Sequence, residues 1–143
     1  MFVVLLITCL LVLLAVSVHY FALVMLTWML DKTIMRRWIA VSVLGALLAH
    51  VVEVSLFALG YAFFHMHESY GRLEGELRYL AEDFWYFSFV AYTSLGFGDI
   101  TPRGALRFFT AVETLTGLVL IAWTASFIFM HMEKDWRKRD GNP

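Results

Sequence analysis

The sequence predicts an all-α membrane protein, with three transmembrane helices and one shorter helix that enters the membrane without crossing it. Of its 143 residues, 61% are hydrophobic, and the mean hydropathy is +0.73. In soluble domains only about half of the residues are apolar. Three apolar segments are long enough to span a bilayer, which takes about 20 residues in a helix. A fourth, residues 84–93, is too short to cross and leads into a polar stretch that contains glycines.

The three long apolar segments are residues 1–30, 38–64 and 106–132, and each is predicted to form one transmembrane helix. The first contains no Asp, Glu, Lys or Arg. Because it lacks the basic start and short apolar core of a secretory signal, we expect it to be retained. The second is interrupted only by His50 and Glu53.

Charged residues fill the remaining segments and set the predicted orientation. Residues 31–37 form a basic turn, residues 65–83 an acidic extracytoplasmic loop, and residues 133–143 a basic tail. Lys and Arg are enriched on the cytoplasmic side of membrane proteins. One side holds Lys32, Arg36, Arg37, Lys134, Arg137, Lys138 and Arg139, and the other holds Arg72, Arg78, Arg103 and Arg107. We therefore expect a multi-pass protein of the cell (inner) membrane, with its N-terminus outside and its C-terminus in the cytoplasm.

Residues 84–93 and 94–99 predict a re-entrant helix followed by an irregular segment. Lipid cannot hydrogen-bond irregular backbone, so such a segment lies within protein or lines an aqueous path. Gly96 and Gly98 can adopt positive φ without steric cost. Their alternation with side-chain residues lets successive carbonyl groups face one axis. The C-terminal end of the short helix carries the negative end of its dipole, which favours a cation there.

The side chains of this segment have separate predicted roles. Leu95 and Phe97 are expected to point away from the axis and to pack behind the segment. Ser94 adds a hydroxyl group at the inner mouth. Asp99 lies at the outer mouth, where a ring of acidic side chains concentrates cations. Together these features indicate a path in which carbonyl oxygens replace the hydration shell of a cation.

The run Thr93-Ser94-Leu95-Gly96-Phe97-Gly98-Asp99 resembles the potassium-channel signature, usually Thr-Thr-Val-Gly-Tyr-Gly-Asp. The similarity extends over residues 84–129, and the whole chain resembles small bacterial ion-channel proteins of the two-pore-domain-like pore family. The resemblance implies a homotetramer that conducts potassium passively and needs no cofactor. It also implies that residues 84–93 are the pore helix, residues 94–99 the selectivity filter, and Thr93 and Asp99 its support and mouth. Potassium would bind mainly to backbone carbonyls of Ser94, Leu95, Gly96, Phe97 and Gly98.

The resemblance also assigns roles in the third transmembrane helix, which corresponds to the inner helix of the family. Gly117 falls near the family's hinge glycine. The candidate pore-lining residues are Leu118, Ile121, Ala125, Ser126 and Phe129. The chain departs from a well-studied family member at Val90, where that member has a glutamate behind the filter, and at Phe87, where it has a tryptophan. We therefore expect a more apolar region behind this filter.

Ionisable residues inside the predicted spans are candidate functional groups. His50 and Glu53 are three residues apart and share one helix face. They either bond each other or a neighbouring helix and fix packing, or they sense pH, since His titrates near neutrality. Glu113 either braces the filter, through Arg103, Arg107 or the backbone of the pore helix, or is a structural ion pair or a protonated, hydrogen-bonded carboxyl group. His19, alone on an apolar helix, is expected to be a satisfied packing residue.

Potassium-selective permeation is the preferred function, and two alternatives remain open. A less selective monovalent cation channel is the nearer one, because Ser94 and Leu95 differ from the usual filter. The remote one is an intramembrane enzyme that uses His50, Glu53 and Glu113. The expected partners are further copies of the chain, the lipid bilayer and potassium ions. The net charge of −1 suggests no nucleic acid, and a single cysteine, Cys9, gives no disulfide or zinc signal.

Overall fold

The computed structural model describes residues 1–31, 37–78 and 81–139. Its helices are α1 (Phe2–Asp31), α2 (Arg37–His65), α3 (Ala81–Tyr92) and α4 (Leu106–Arg139). A 3₁₀ turn at Glu68–Tyr70 and two strands, β1 (Leu73–Gly75) and β2 (Ile100–Pro102), complete the described elements. Most of the predicted turn 31–37, with Lys32 and Arg36, lies outside the described residues, as do the last residues of the predicted tail.

Three helices have the length and composition of membrane spans, and they confirm the predicted fold class. The spans are Phe2–Met29, Ile39–His65 and Leu106–Lys134. Only about a quarter of each span is buried within the chain, between 22% and 28%. A helix that is apolar yet mostly unburied suits a lipid environment. The chain is therefore a multi-pass membrane protein.

An aromatic core joins α2 to α4 near the outer loop. Phe57, Tyr61, Phe64 and Phe109 are fully buried there. The Phe109 ring meets the Tyr61 ring edge-on, at a centroid distance of 4.9 Å, and the Phe64 ring at 5.2 Å. Edge-to-face pairs of this kind stabilise by about 0.5–1.5 kcal/mol beyond the burial of area. This core fixes the α2–α4 pair against which the short helix α3 packs.

Helix α3 begins at Ala81, three residues before the predicted start of the pore helix at residue 84. Glu82 and Asp83 lie in its first turn, where acidic side chains interact favourably with the positive end of the helix dipole. The Asp83 carboxylate also accepts a hydrogen bond from the Arg78 backbone N–H, at 2.7 Å. The helix therefore starts earlier than predicted, because its first turn contains charged residues that lie outside the apolar segment used for the prediction.

A two-stranded antiparallel sheet lies where the sequence predicts only loops. Strand β1 pairs with β2, with Glu74 opposite Thr101. The sheet holds the acidic loop 65–83 against the segment that follows the predicted filter. Helix α4 also continues past the predicted end at residue 132, and its extension carries an ion pair between Glu133 and Arg137, at 2.7 Å.

Candidate functional site

The predicted filter begins where α3 ends, and Ser94 makes the turn between them. Ser94 has a positive φ of 62°. Its N–H donates to the Ala91 carbonyl, and the Leu95 N–H donates to the Val90 carbonyl, both at 3.0 Å. This pair of bonds is the Schellman motif, in which glycine usually takes the left-handed position. The motif ends the helix abruptly and turns the chain away from its axis.

Left-handed conformations alternate along the filter segment. Gly96 has a φ of 57° and Gly98 a φ of 84°, as the sequence predicts for these glycines. With Ser94, every second residue from 94 to 98 is left-handed. Such alternation is accessible to glycine but costs other residues roughly 1–2 kcal/mol each. The chain therefore adopts, over the exposed residues 94–98, a backbone conformation that most sequences avoid.

The expected packing of Leu95 and Phe97 behind the filter is not present within one chain. The Leu95 side chain is 57% exposed and the Phe97 side chain 65% exposed. Thr93, Ser94, Gly96 and Gly98 are exposed as well. The reason is that α3 and α4 cover only one side of the segment.

The C-terminal end of the predicted filter is held from two directions. The Tyr86 hydroxyl of α3 donates to the Asp99 carboxylate at 2.7 Å. On the other side, the Glu76 N–H donates to the Asp99 carbonyl at 3.1 Å. Gly75 lies so close to this carbonyl that a Cβ at position 75 would overlap it. Asp99 is thus fixed through both its side chain and its backbone.

The sheet beside Asp99 carries an exposed charge network. Arg72 and Arg103 both donate to the Glu74 carboxylate, with ion-pair distances of 2.7 and 2.9 Å. These hydrogen bonds, first from Arg72 and then from Arg103, lower the pKa of Glu74 below its usual 4.5. Since Arg103 follows the filter and Glu74 precedes α3, the network joins the two flanks of the pore loop.

Gly117 is the point of closest approach between α4 and the end of α3. A Cβ at position 117 would overlap the Tyr92 carbonyl oxygen and lie 2.9 Å from two Tyr92 ring atoms. One turn earlier, the Thr114 hydroxyl donates to the Ala91 carbonyl at 2.9 Å. Helix α4 is continuous through Gly117. The structure thus gives Gly117 a packing role, and the hinge role stays a prediction.

Glu113 is fully buried and contacts the pore helix through a side chain. It lies 2.5 Å from the Ser88 hydroxyl and accepts a second hydrogen bond from the Tyr61 hydroxyl. The Ser88 hydroxyl also lies 2.9 Å from the Val54 carbonyl, and its single hydrogen can bond to only one of these two oxygens at a time. The arginines that the sequence offered as partners are placed elsewhere, since Arg103 pairs with Glu74. Glu113 therefore joins α2, α3 and α4 by hydrogen bonds to neutral groups.

A second buried carboxylate, Glu53, lies at the end of the pore helix. Its oxygens are 2.9 Å from His19 Nδ1 and 2.9 Å from His50 Nδ1. The Tyr92 hydroxyl donates to the same carboxylate. The expected bond between His50 and Glu53 is thus present. His19 is a satisfied buried histidine, as the sequence suggests, but its partner is this carboxylate. The pH-sensing role of His50 stays a prediction.

The five candidate pore-lining residues all lie on exposed parts of α4: Leu118, Ile121, Ala125, Ser126 and Phe129. The opposite side of the helix is buried against the chain, through Phe109, Leu120 and Phe127. The face that the sequence assigns to the pore is therefore available to water or to another subunit.

The catalytic alternative required His50, Glu53 and Glu113 to converge on one cleft. In the structure the two carboxylates contact different residues of α3, Glu53 meeting Tyr92 and Glu113 meeting Ser88. These contacts lie one helical turn apart. Each carboxylate is enclosed by its own set of hydrogen-bond partners. This arrangement favours a structural role for the two carboxylates in positioning α3.

Sequence reasoning missed several hydroxyl-bearing residues that bond to Asp99 or to the buried groups around α3. They are Tyr86, Ser88, Tyr92, Tyr61 and Thr124. Each is a hydroxyl-bearing residue within or beside an apolar segment. A hydroxyl in such a segment has to find a partner, and that signal could have marked them, although it does not identify the partner.

The fold and the site together define a membrane protein whose short helix α3 leads into an exposed backbone segment with alternating left-handed residues. The model of the family described as "Ion channel" matches residues 1–134. The chain therefore belongs to the ion channel family. Comparison with curated proteins and with solved structures gave no match.

Proposed function

We propose that this chain is one subunit of a potassium-selective channel, in which potassium passes passively through a filter of backbone carbonyls. The observation that carries the proposal is the alternation of left-handed residues at 94, 96 and 98, directly after the C-terminal end of α3. Carbonyls of Ser94 to Gly98 substitute for water around the dehydrated ion. Ions in adjacent sites repel one another, so one leaves as another enters.

The half-length helix contributes to the proposed site by its orientation. The carbonyl end of α3 precedes the filter, and this end carries the partial negative charge of the helix dipole. The Schellman bonds use the Val90 and Ala91 carbonyls. At the other end of the filter, the Asp99 carboxylate, held by Tyr86, adds negative charge at the mouth. No covalent chemistry and no cofactor are part of this mechanism.

The proposed assembly is a homotetramer. One filter segment per chain cannot surround an ion, and identical chains that surround an axis form a closed ring. Leu95 and Phe97 are large, apolar and exposed beside the filter. Neighbouring subunits would cover these side chains and the exposed face of α4. The proposed orientation places the pore loop outside the cell membrane and the basic end of α4 in the cytoplasm.

Ion flux in liposomes tests the function. Purified protein is reconstituted with a potassium gradient, and uptake of potassium, rubidium and sodium is compared with and without barium. We expect uptake of potassium and rubidium, little uptake of sodium, and block by barium. Equal uptake of sodium and potassium would favour the less selective cation channel. Absence of any ion flux from well-assembled protein would overturn the proposal.

Two glycine substitutions distinguish a specific effect on the proposed filter from a general effect of backbone strain. Gly96→Ala places a side-chain residue at a φ of 57°, and Gly104→Ala does the same at a φ of 64° in the turn before α4. We expect Gly96→Ala to abolish selective flux and Gly104→Ala to keep the potassium-to-sodium ratio. The mass of the detergent-solubilised complex, measured for both variants, shows whether assembly is intact.

A further inference from the structure

Three side chains, each from a different helix, converge on Glu53 of α2 in a buried cluster that the proposed permeation path does not use. They are His19 of α1, His50 of α2 and Tyr92 of α3. His19 and Glu53 are fully buried, and the His50 side chain is 14% exposed. One ligand atom from each histidine and from Glu53 can be chosen so that all three lie within 4.8 Å of one another.

The donor set is that of a transition-metal site. Imidazole nitrogen and carboxylate oxygen bind zinc at about 2.0–2.2 Å. The Tyr92 hydroxyl adds a fourth donor, because it contacts Glu53 and lies 2.9 Å from His50 Nδ1. Donor atoms around a tetrahedral zinc are about 3.4 Å apart at these bond lengths. Small side-chain rotations therefore convert the observed hydrogen-bonded spacing into a coordination sphere.

The outer surroundings of the two histidines fit the same chemistry. A metal-binding histidine usually donates its other ring N–H to an oxygen, which fixes the tautomer. Here Thr124 Oγ1 lies 3.0 Å from His50 Nε2 and 3.4 Å from His19 Nε2. A hydroxyl oxygen has two lone pairs and can accept from both rings. With both Nε2 atoms protonated, the two Nδ1 lone pairs are free to face the centre of the cluster.

We propose that His19, His50, Glu53 and Tyr92 form a tetrahedral binding site for a divalent transition metal, with zinc as its best-fitting ion. On binding, each histidine changes from its Nδ1–H to its Nε2–H tautomer and the Tyr92 phenol releases one proton to solvent. The ion then takes the position of the hydrogens that now join these groups to the carboxylate. With Glu53 ionised and Tyr92 bound as phenolate, a divalent ion leaves the site with no net charge. This neutrality matters because an unbalanced charge within the membrane is costly.

The surroundings of the cluster give bound metal a structural consequence. A cavity of about 650 Å³ between α2, α3 and α4 borders the cluster at His50, Tyr92 and Thr124. Bound metal would join α1, α2 and the last residue of α3. Since Thr93 follows directly, the ion would brace the start of the filter.

Metal binding is measured on the purified, assembled protein in detergent, independently of ion flux. Metal-free protein is dialysed against ZnCl₂, and bound zinc is counted by mass spectrometry. We expect one zinc per chain in the wild type and loss of that zinc in His19→Gln and Glu53→Gln. The matched control is His67→Gln, which changes an exposed histidine of the outer loop and should keep the zinc.

Cobalt provides a readout that needs no variant to fold. Tetrahedral Co²⁺ absorbs visible light much more strongly than octahedral Co²⁺, so wild-type protein loaded with CoCl₂ should show the intense tetrahedral bands. Zinc should displace them and should also raise the unfolding temperature, because a ligand of the native state stabilises it. Weak octahedral bands would overturn the proposal. So would zinc that is retained in His19→Gln as in the wild type, or zinc that is lost in His67→Gln. A failure of ion flux alone would leave this result unaffected and would count against the proposed function only.

Discussion

The contact between Gly117 and Tyr92 gives a prediction whose size can be worked from the structure. In Gly117→Ala the new Cβ would overlap the Tyr92 carbonyl and lie 2.9 Å from its ring. Overpacking typically lowers the free energy of unfolding by about 1–3 kcal/mol. Because a backbone carbonyl can move only slightly, we expect a cost of about 3 kcal/mol. Alanine regains about 1 kcal/mol of helix propensity. The net loss is about 2 kcal/mol, or about 4–8 °C in unfolding temperature.

Gly45→Ala is the matched control for this substitution. A Cβ at position 45 would lie 2.7 Å from Leu26 Cδ2, which is the far end of a flexible side chain. The Leu26 side chain can rotate away, so we expect less than half of the loss. Thermal unfolding in detergent measures both variants. A Gly117→Ala protein as stable as the wild type, or a Gly45→Ala protein that loses as much, would refute the packing argument.

Three further predictions concern the groups around the pore helix. Tyr86→Phe removes the hydrogen bond to Asp99, and we expect faster loss of potassium flux with little change in assembly. Glu113→Gln keeps a donor and an acceptor in place and should be tolerated. Glu113→Ala removes one partner from the Ser88 hydroxyl and one from the Tyr61 hydroxyl, which keep their contacts to Val54 and Thr110, and we expect a cost of about 0.5–1.5 kcal/mol for each lost hydrogen bond. The pKa of Glu74 is lowered by Arg72 and then Arg103, so its contribution to stability is present above pH 4.5 and lost as the pH falls below it. Glu74→Gln should therefore flatten the acid side of the stability profile.

Each of these predictions has a matched comparison. For the Asp99 contact, Tyr20→Phe changes an exposed tyrosine of α1 and should leave the flux trace unchanged. For the buried carboxyl, equal unfolding temperatures of the Gln and Ala variants would contradict the hydrogen-bond argument. For the charge network around Glu74, the unfolding temperature is measured from pH 3 to pH 7. Parallel decreases in the wild type and in Glu74→Gln would contradict the proposed contribution of Glu74.

The membrane spans could be predicted because they depend on composition along the chain. Residues 1–30, 38–64 and 106–132 contain the three observed spans within a few residues at each end. The α3 boundary was less accurate, because Glu82 and Asp83 extend the helix through its dipole and not through apolar character. The two strands were missed because each has three residues, too few for an alternating pattern to show.

The partners of the buried side chains could not be predicted. Two residues three apart on one helix lie on the same face, so the bond between His50 and Glu53 was foreseeable. His19 reaches the same carboxylate from 34 residues away. That contact depends on how α1 and α2 are rotated, and one residue of slip turns a helical face by about 100°.

By itself, the sequence determined that this chain has three helices fit to cross the membrane and a shorter helix between the last two, and that it carries glycines where a left-handed backbone is needed. These properties follow from local composition and from the steric freedom of single residues. Only the tertiary structure decided that two buried carboxylates, Glu53 and Glu113, bond to successive turns of α3. It also decided that the absence of a side chain at Gly117 lets the end of α3 pack closely against α4. The physical reason is that hydrogen-bond partners across helices are set by helix rotation and close packing, which no local pattern records.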